Sequence, residues 1–340
     1  MRAARLASSG MEHLSVEEIP APTPQRGEVL VRVEAVGINQ LDLNVIAGVG
    51  PGASARLPRT LGIDPAGRVV ELGADVSDAL LGLRVAVKPN IPCGRCAYCR
   101  SEQEGLCPAQ SVVGVHRDGG AAEFVAVPAS SVFAIDEIAV EHAVATMHSL
   151  PIVIRALHAA GDVSAGQTVV VSGISGVLGH VASQYALDRG AHVIGCARRS
   201  VDVPDGVDLV VAAPSDLGAA IREKLPDGAD LALDTTGSAT VAGELATALG
   251  WAGRLALCTA SVSTALSLDM RALYLQRQTV VGSASAHYSD VRLALDLVRR
   301  GVVTPRIDRV FDLAAISDAY ARFTAENRTG KVVVHVAAGQ

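Results

Sequence analysis

The sequence predicts an α/β protein in which a region of short β-strands is interrupted by an inserted domain of alternating strands and helices. Residues 1–150 are dense in turn-forming glycine and proline, which is typical of small all-β barrels and sandwiches. From about residue 150, apolar strand-like runs alternate with helix-like segments. That alternation predicts βαβ units in a parallel sheet.

The composition fits two domains and narrows the functional classes. Of 340 residues, 49% are hydrophobic but only 3% aromatic, so small aliphatic side chains must fill the cores. A formal net charge of −6 gives no reason to expect nucleic acid or a membrane surface as a partner. We find no apolar run near the roughly 20 residues of a membrane span and no signal peptide. We therefore expect a cytoplasmic protein with reduced cysteines.

The N-terminal β region is expected to be completed by the end of the chain. Residues 28–36 alternate polar and apolar side chains, as a half-buried strand does. An amphipathic segment at 290–299 precedes two strand-like pieces, 309–313 and 331–336. Because the N-terminal region lacks a closing piece, we expect this tail to return to it. The predicted domains are 1–149 with 284–340, and 150–283.

The middle domain contains six strand-like runs, each ending at small or turn-forming residues. They are 168–172, 192–196, 208–212, 231–233, 254–258 and 279–282. Helix-like segments such as 177–188 and 239–248 lie between them. Six strands in this alternation predict a doubly wound Rossmann domain, which binds nucleotides.

A glycine-rich turn joins the first of these strands to a helix. Glycines at such a junction let the backbone approach a pyrophosphate, while the helix N-terminus offers free N–H groups. The alternative is a glycine-rich turn without a ligand. We predict a nicotinamide-dinucleotide oxidoreductase. Its expected cofactor contacts are Gly173, Ser175, Gly176, Val177, Leu178 and Gly179, and, after later strands, Thr236, Cys258, Thr259 and Ser283.

The second strand of the domain distinguishes NAD from NADP. An acidic residue at its end would hold the ribose hydroxyls of NAD. The sequence has Arg198 and Arg199 there instead, and guanidinium groups suit a 2′-phosphate. NADPH is therefore the favoured cofactor, and a pair of solvated arginines is the alternative.

Four cysteines lie close together in the N-terminal region with the spacing C-x2-C-x2-C-x7-C. They are Cys93, Cys96, Cys99 and Cys107. Four thiolates can surround Zn²⁺ and leave no position for a substrate, so we predict one structural zinc. Disulfides, a catalytic metal and an iron–sulfur cluster are the alternatives.

Together these features resemble the medium-chain dehydrogenase/reductase superfamily, which includes zinc alcohol dehydrogenases and quinone oxidoreductases. The motifs that carry the resemblance, beside the cysteine loop and the glycine turn, are 27–33, 37–42, 61–67 and 330–334. The resemblance implies a GroES-like β-barrel catalytic domain with an inserted six-stranded Rossmann domain. It also implies homodimers or homotetramers, often formed by pairing the last strand of the Rossmann sheet.

The resemblance also locates the catalytic zinc ligands of the alcohol dehydrogenases. Their positions correspond here to Asn39, Ile63 and His148, and the hydroxyl of the proton relay corresponds to Leu41. Isoleucine cannot bind a metal, so we expect no catalytic zinc. Asn39 and Asp64 look instead like the zinc-free quinone oxidoreductase branch, which commonly lacks the cysteine loop.

Without a Lewis acid, reduction of a plain ketone is hard, whereas an activated double bond accepts hydride more easily. We therefore expect NADPH-dependent reduction of an enone, quinone or imine, with an apolar small molecule as substrate. Asn39 is expected to contact ribose or substrate, and His148 to donate a proton because imidazole titrates near neutral pH. A polar turn residue and a packing histidine are the respective alternatives, and His116 and His287 are weaker candidates.

Two other functions stay open at this point. One is a zinc-dependent alcohol dehydrogenase with a non-standard metal site around His148. The other is an NADPH-binding protein without catalytic activity.

Overall fold

The computed structural model describes residues 1–260 and 262–336, which divide into two compact units. Among the described residues, the first unit comprises 1–148, 287–299 and 305–336, and the second comprises 149–286, without 261, and 300–304. The first unit is thus assembled from segments on both sides of the second, and residues 149, 284–286 and 300–304, which the sequence analysis placed in the first domain, belong to the second unit.

In chain order, the strands are β1 (Arg2–Leu6), β2 (Leu14–Glu18), β3 (Glu28–Gly37), β4 (Arg59–Thr60), β5 (Asp64–Leu72), β6 (Arg84–Val87), β7 (Asn90–Ile91), β8 (Ser111–Val112), β9 (Phe124–Pro128), β10 (Val132–Ala134), β11 (Thr168–Ser172), β12 (His192–Ala197), β13 (Val207–Val211), β14 (Ala229–Asp234), β15 (Leu249–Leu257), β16 (Thr279–Gly282), β17 (Ile307–Asp312) and β18 (Lys331–His335). The helices are α1 (Gln40–Ala47), α2 (Ala97–Arg100), α3 (Val140–Met147), α4 (Leu150–Ala159), α5 (Val177–Asp188), α6 (Leu217–Lys224), α7 (Ala239–Thr247), α8 (Met270–Gln276), α9 (Tyr288–Arg299) and α10 (Ile316–Thr324).

The main sheet of the first unit is organised around β3. Its strands follow the order β10-β6-β5-β3-β18-β17, and β9 also pairs with β3. β3 is antiparallel to β5, β9 and β18, with Val36 opposite Val334. Valines of β3 and β18 are buried in one shared core. The chain end therefore returns to the N-terminal region, as the sequence predicts.

The second unit is a six-stranded parallel sheet with the order β13-β12-β11-β14-β15-β16. This order confirms the predicted Rossmann arrangement, in which the strand order reverses beside the first strand. The bounds of β12, β13 and β14 differ from the prediction by one or two residues, and the largest difference is at β15, which begins at Leu249, five positions before the apolar run at 254–258. The register between β14 and β15 shifts there and Ala252 has φ 57°, so an irregular stretch hides the strand start in the sequence.

None of the helices in the described part of the chain is both long enough and apolar enough to cross a membrane.

Candidate functional site

The glycine turn of the second unit forms where β11 ends and α5 begins. Gly173 has φ 63°, a backbone conformation that favours glycine. A Cβ on Gly179 would lie 2.4 Å from the carbonyl oxygen of Gly173, so a larger residue would push helix and strand apart. Gly176 is the N-cap of α5, and the first turn of the helix contains no acidic residue. The N–H groups of that turn thus present positive partial charge to an anion.

A cavity of about 430 Å³ opens beside this turn, at the carboxyl ends of β11 to β14. Its volume is within the range of small-molecule and cofactor sites. The lining residues are Ser172, Gly173, Ser175, Cys196, Ala197, Arg198, Ala212, Pro214, Leu217, Thr236, Ser238, Val241 and Val262. None of these is acidic, so the wall provides a guanidinium and no carboxylate.

The cavity brings together some of the residues that the sequence singled out. Gly173, Ser175, Arg198 and Thr236 belong to its wall. The others are outside that wall: Gly176, Val177, Leu178 and Gly179 at the start of α5, Arg199 exposed after β12, Cys258 and Thr259 after β15, and Ser283 after β16. Burial raises the pKa of the Cys258 thiol to about 12, so it stays protonated.

Sequence reasoning missed Asp234, the buried carboxylate that shapes the loop after β14. Its Oδ1 accepts hydrogen bonds from the hydroxyls of Ser172 and Thr236, both at 2.7 Å, and its Oδ2 accepts from the N–H of Gly237 at 2.9 Å. These bonds fix the cavity wall between β11 and β14. An acid that ends an apolar strand and precedes Thr-Thr-Gly was the available signal.

The four cysteines of the first unit converge. Their sulfur atoms all lie within 4.8 Å of one another, with Cys96 and Cys99 3.4 Å apart and Cys93 and Cys99 4.0 Å apart. Zinc with sulfur ligands at about 2.3 Å in a tetrahedron places the sulfurs about 3.8 Å apart. The donor set therefore fits Zn²⁺ and leaves no open position.

Electrostatic interactions among the four thiols also favour a bound zinc ion. Backbone N–H groups of Arg95 and Cys96 help to lower the pKa of the Cys93 thiol to about 6. Burial, reinforced by the neighbouring thiols, raises the pKa of Cys99 to about 12. Four thiolates this close repel one another, and a divalent cation removes that repulsion.

The cysteine loop is anchored to the start of α9. His287 Nδ1 accepts a hydrogen bond from the N–H of Gly105 at 3.0 Å, and Glu104 Oε2 accepts one from the N–H of Tyr288 at 3.3 Å. His116 is also held locally, because its Nδ1 accepts from the N–H of Val112 at 2.9 Å. Both histidines thus have structural contacts that account for their positions.

A buried ammonium occupies the region that the sequence assigned to catalysis. Lys331, at the start of β18, donates to Asn39 Oδ1 at 2.7 Å and to Asp64 Oδ2 at 2.8 Å. All three residues are at most 8% exposed. A Cβ on Gly37 would lie 2.1 Å from Lys331 Cε, so this glycine makes room for the lysine. Lys331 belongs to one of the family motifs, but nothing in the sequence indicates that its charge is buried.

A second carboxyl, Asp42, supports the same turn. Its oxygens accept from the N–H groups of Asn39 at 2.8 Å and Gly62 at 3.2 Å. Burial and the charge of Asp64 raise the pKa of Asp42 to about 7. Burial also raises the pKa of Asp64, although Lys331 opposes the shift.

His148 follows α3 at the end of the first unit's N-terminal segment. Its Nδ1 is buried and has no hydrogen-bond partner within the described residues. Burial and the positive charges of Lys331 and Lys88 lower its pKa to about 3. The imidazole is thus neutral near pH 7, contrary to the expectation that it titrates there.

Comparison with known proteins gives consistent matches over both units. Residues 25–137 match the family described as "Alcohol dehydrogenase GroES-like domain", and residues 190–334 match "Zinc-binding dehydrogenase". An alcohol dehydrogenase of Geobacillus stearothermophilus is 31% identical over 95% of this chain and 96% of its own. The acryloyl-coenzyme A reductase of Sulfurisphaera tokodaii is 28% identical over 94% and 95%.

A solved structure adds a bound cofactor to the comparison. It is a Sinorhizobium meliloti 1021 protein assigned as a zinc-binding dehydrogenase, in complex with NADP. It superimposes with a TM-score of 0.86 at 28% identity and covers 98% of this chain and 99% of its own.

The cysteine geometry predicts the zinc content. We expect one zinc per chain in the purified protein and less than half of that in Cys96→Ser, with a lower melting temperature, because the loop loses the metal that holds it together. Cys196→Ala removes a buried cysteine outside the loop and should keep one zinc per chain. Elemental analysis and thermal unfolding measure both effects. Full zinc content in Cys96→Ser would contradict the assignment.

Proposed function

Because the chain belongs to the medium-chain dehydrogenase/reductase superfamily of oxidoreductases, we propose that it is an NADPH-dependent reductase that acts without a catalytic metal. Its substrates on this proposal are apolar molecules with an activated double bond, namely enones, quinones or imines. NADPH supplies the hydride when it is bound.

The observation that carries the proposal is the donor set around Asn39. Ile63 has no metal-binding atom, and Asn39 Oδ1 accepts from the Lys331 ammonium, whose charge repels a metal cation. Within the described residues, the four cysteines are the only group of three or more Cys, His, Asp or Glu side chains spaced for a metal. A substrate must therefore bring its own activation, and conjugation provides it.

NADPH is supported by the character of the dinucleotide cavity. Arg198 lines it, no acidic residue does, and a guanidinium binds a 2′-phosphate well. Arg199 is adjacent to Arg198 in sequence but does not line the cavity, so we assign it the smaller contribution to binding of the 2′-phosphate. The glycine turn and the N-terminus of α5 would hold the pyrophosphate.

Asn39 and His148 are the proposed catalytic residues. Asn39 donates an amide N–H to the carbonyl of Gly37 at 3.1 Å, and its side chain also hydrogen-bonds to Asp64, so it would meet ribose or substrate from a fixed position. His148 is neutral near pH 7, so it would act as a neutral hydrogen-bond donor to the acceptor's oxygen, as neutral imidazoles do in other enzymes. An unsaturated thioester is implied by the name of the acryloyl-coenzyme A reductase relative, which is consistent with an activated C=C bond.

We also propose that the protein forms a homodimer or homotetramer and is located in the cytoplasm. β16 is an edge strand of the Rossmann sheet, paired only with β15 in the described structure. Large apolar side chains nearby in sequence are exposed, among them Trp251 (67%), Met270 (81%) and Tyr274 (80%). An open edge beside exposed apolar side chains is typical of a surface that pairs with a second copy.

The activity test is NADPH oxidation with a panel of simple enones, quinones and imines. We expect turnover of at least one acceptor class, with activity unchanged after dialysis against a chelator that leaves the cysteine-bound zinc in place. Two zinc ions per chain, with activity lost when one is removed, would indicate a zinc alcohol dehydrogenase instead. Tight NADPH binding without turnover of any acceptor would indicate a binding protein.

Arg198 tests the cofactor preference. Replacing it by alanine should raise KM for NADPH about 10-fold or more, because hydrogen bonds to charged groups contribute about 1.5–3 kcal/mol. KM for NADH should change little. Arg199→Ala is the matched control and should have a smaller effect. An unchanged ratio of NADPH to NADH efficiency in Arg198→Ala would remove the basis for NADPH.

The oligomeric state is tested with charges on the exposed apolar surface. The parent should have at least twice the mass of its 34.9 kDa chain. The double variant Met270→Glu/Tyr274→Glu should shift toward the monomer, since carboxylates would be buried at the interface. Leu81→Glu, at an exposed position of the first unit, should not. Light scattering after size-exclusion chromatography distinguishes these outcomes, and a monomeric parent would refute the assembly.

A further inference from the structure

The buried ammonium of Lys331 has an unused hydrogen-bond donor. Among the described residues its Nζ has two acceptors, Asn39 Oδ1 and Asp64 Oδ2. An ammonium carries three N–H bonds, so one is left over. Burial at 3% exposure keeps bulk water from surrounding the charge, which strengthens its interactions with whatever lies nearby.

The carboxyl groups around Lys331 also accept hydrogen bonds from backbone N–H groups. Asp64 Oδ1 accepts from the N–H of Gly37 at 2.9 Å, while Asp42 is bonded to the backbone of Asn39 and Gly62. Burial and the charge of Asp64 raise the pKa of Asp42 to about 7, so near neutrality a large share of Asp42 is uncharged. The cluster is therefore close to neutral overall, with its positive end at Lys331.

Two further polar side chains at the cluster, Tyr320 and His148, carry no charge near neutral pH. Tyr320 is fully buried, and its hydroxyl has no partner within the described chain. Burial and the two aspartates raise its pKa well above the ordinary value. His148 is neutral, and the charges that act on it are those of Lys331 and Lys88. A group placed beside His148 thus experiences positive potential.

We propose that Lys331 provides the fixed positive charge of the reductase site, so that the preferred acceptor is a conjugated carbonyl compound and not an iminium ion. This inference rests on the proposed reductase function and selects among the acceptors that it leaves open. Lys331 acts through its field and through Asn39, which it holds in place.

The charge balance of the two reactions explains the preference. A conjugated carbonyl forms a C–H bond at its β-carbon with the hydride of NADPH, which is oxidised to NADP⁺. The C=C π pair moves to the bond between the α-carbon and the carbonyl carbon, and the C=O π pair moves onto oxygen. Water then supplies a proton at the α-carbon and the ketone is restored.

Negative charge therefore develops on the substrate in the carbonyl reaction. In an iminium ion the C=N π pair moves onto nitrogen and the positive charge of the substrate disappears. A fixed cation nearby therefore opposes binding of the iminium ion and does not stabilise the transition state of its reduction. A preorganised donor or charge aimed at a developing oxyanion contributes about 10²–10³-fold in rate.

The test compares two variants that share one change. Asp64→Asn keeps the ammonium, and Lys331→Met/Asp64→Asn removes it without leaving a buried carboxylate unpaired. The readout is the ratio of kcat/KM for 2-cyclohexenone to that for N-methyl-3,4-dihydroisoquinolinium, a permanent cation. We expect the parent to favour cyclohexenone and the double variant to lower the ratio about 100-fold relative to Asp64→Asn.

If Lys331 had a purely structural role, its loss would lower kcat/KM for both acceptors alike and leave their ratio unchanged. That result would overturn the inference. A parent that prefers the iminium ion would overturn it as well. If the parent reduces neither acceptor nor any other in the panel, the proposed function fails, and a binding measurement decides the inference alone. That measurement is the ionisation of 4-nitrophenol bound to the protein with NADP⁺, followed by its absorbance.

The bound phenol should ionise at lower pH in Asp64→Asn than in the double variant, because the ammonium stabilises the phenolate. Equal ionisation in the two variants would overturn the inference independently of turnover. Thermal unfolding of each variant identifies any that fail to fold, and for those the parent's acceptor preference remains the deciding result.

Discussion

The ion pair between Lys331 and Asp64 sets the geometry of the first unit. A buried charge without a partner costs several kcal/mol, so the ends of β3, β5 and β18 must stay where these two side chains can meet. Asn39 is drawn into the same contact, and its backbone N–H in turn fixes Asp42. Gly37 carries the steric part of the constraint, since any side chain there would collide with the lysine. One contact thus joins β5 and β18, which come from the segments on either side of the inserted unit.

The first unit has two places suited to a positive charge, the cysteine loop and the surroundings of Lys331, and their ligand chemistry differs. The cysteine loop presents four sulfur atoms spaced for zinc and is anchored to α9 through His287 and Glu104. The region around Asn39 presents oxygen atoms that already accept from an ammonium. A metal in the loop would have a full set of protein ligands and would serve structure. The Lys331 ammonium has one N–H without an acceptor among the described residues and, on our proposal, supplies the positive charge of the other site.

Much of the fold could be predicted from residue patterns because those patterns are local. The six-strand order follows from apolar runs that alternate with helices, and α5 begins and ends where its periodicity does. The cysteine cluster could likewise be predicted from the spacing of the four cysteines in the sequence. The buried positions of Lys331 and Asp234 could not be predicted in this way, because burial of a charge depends on partners that are distant in sequence. The neutral state of His148 has the same origin: its surroundings, and not its neighbours along the chain, lower its pKa.

The discontinuity of the first unit has a consequence for biosynthesis. β18 supplies both a strand beside β3 and the cation for Asp64, and it leaves the ribosome only after the whole inserted unit. Until then the N-terminal segment has an open sheet edge and two carboxyls without their counter-ion. The inserted Rossmann unit needs only residues up to 304, so it can complete its own core first. Co-translational folding would then begin with the inserted unit, and the first unit would close only once β18 is available.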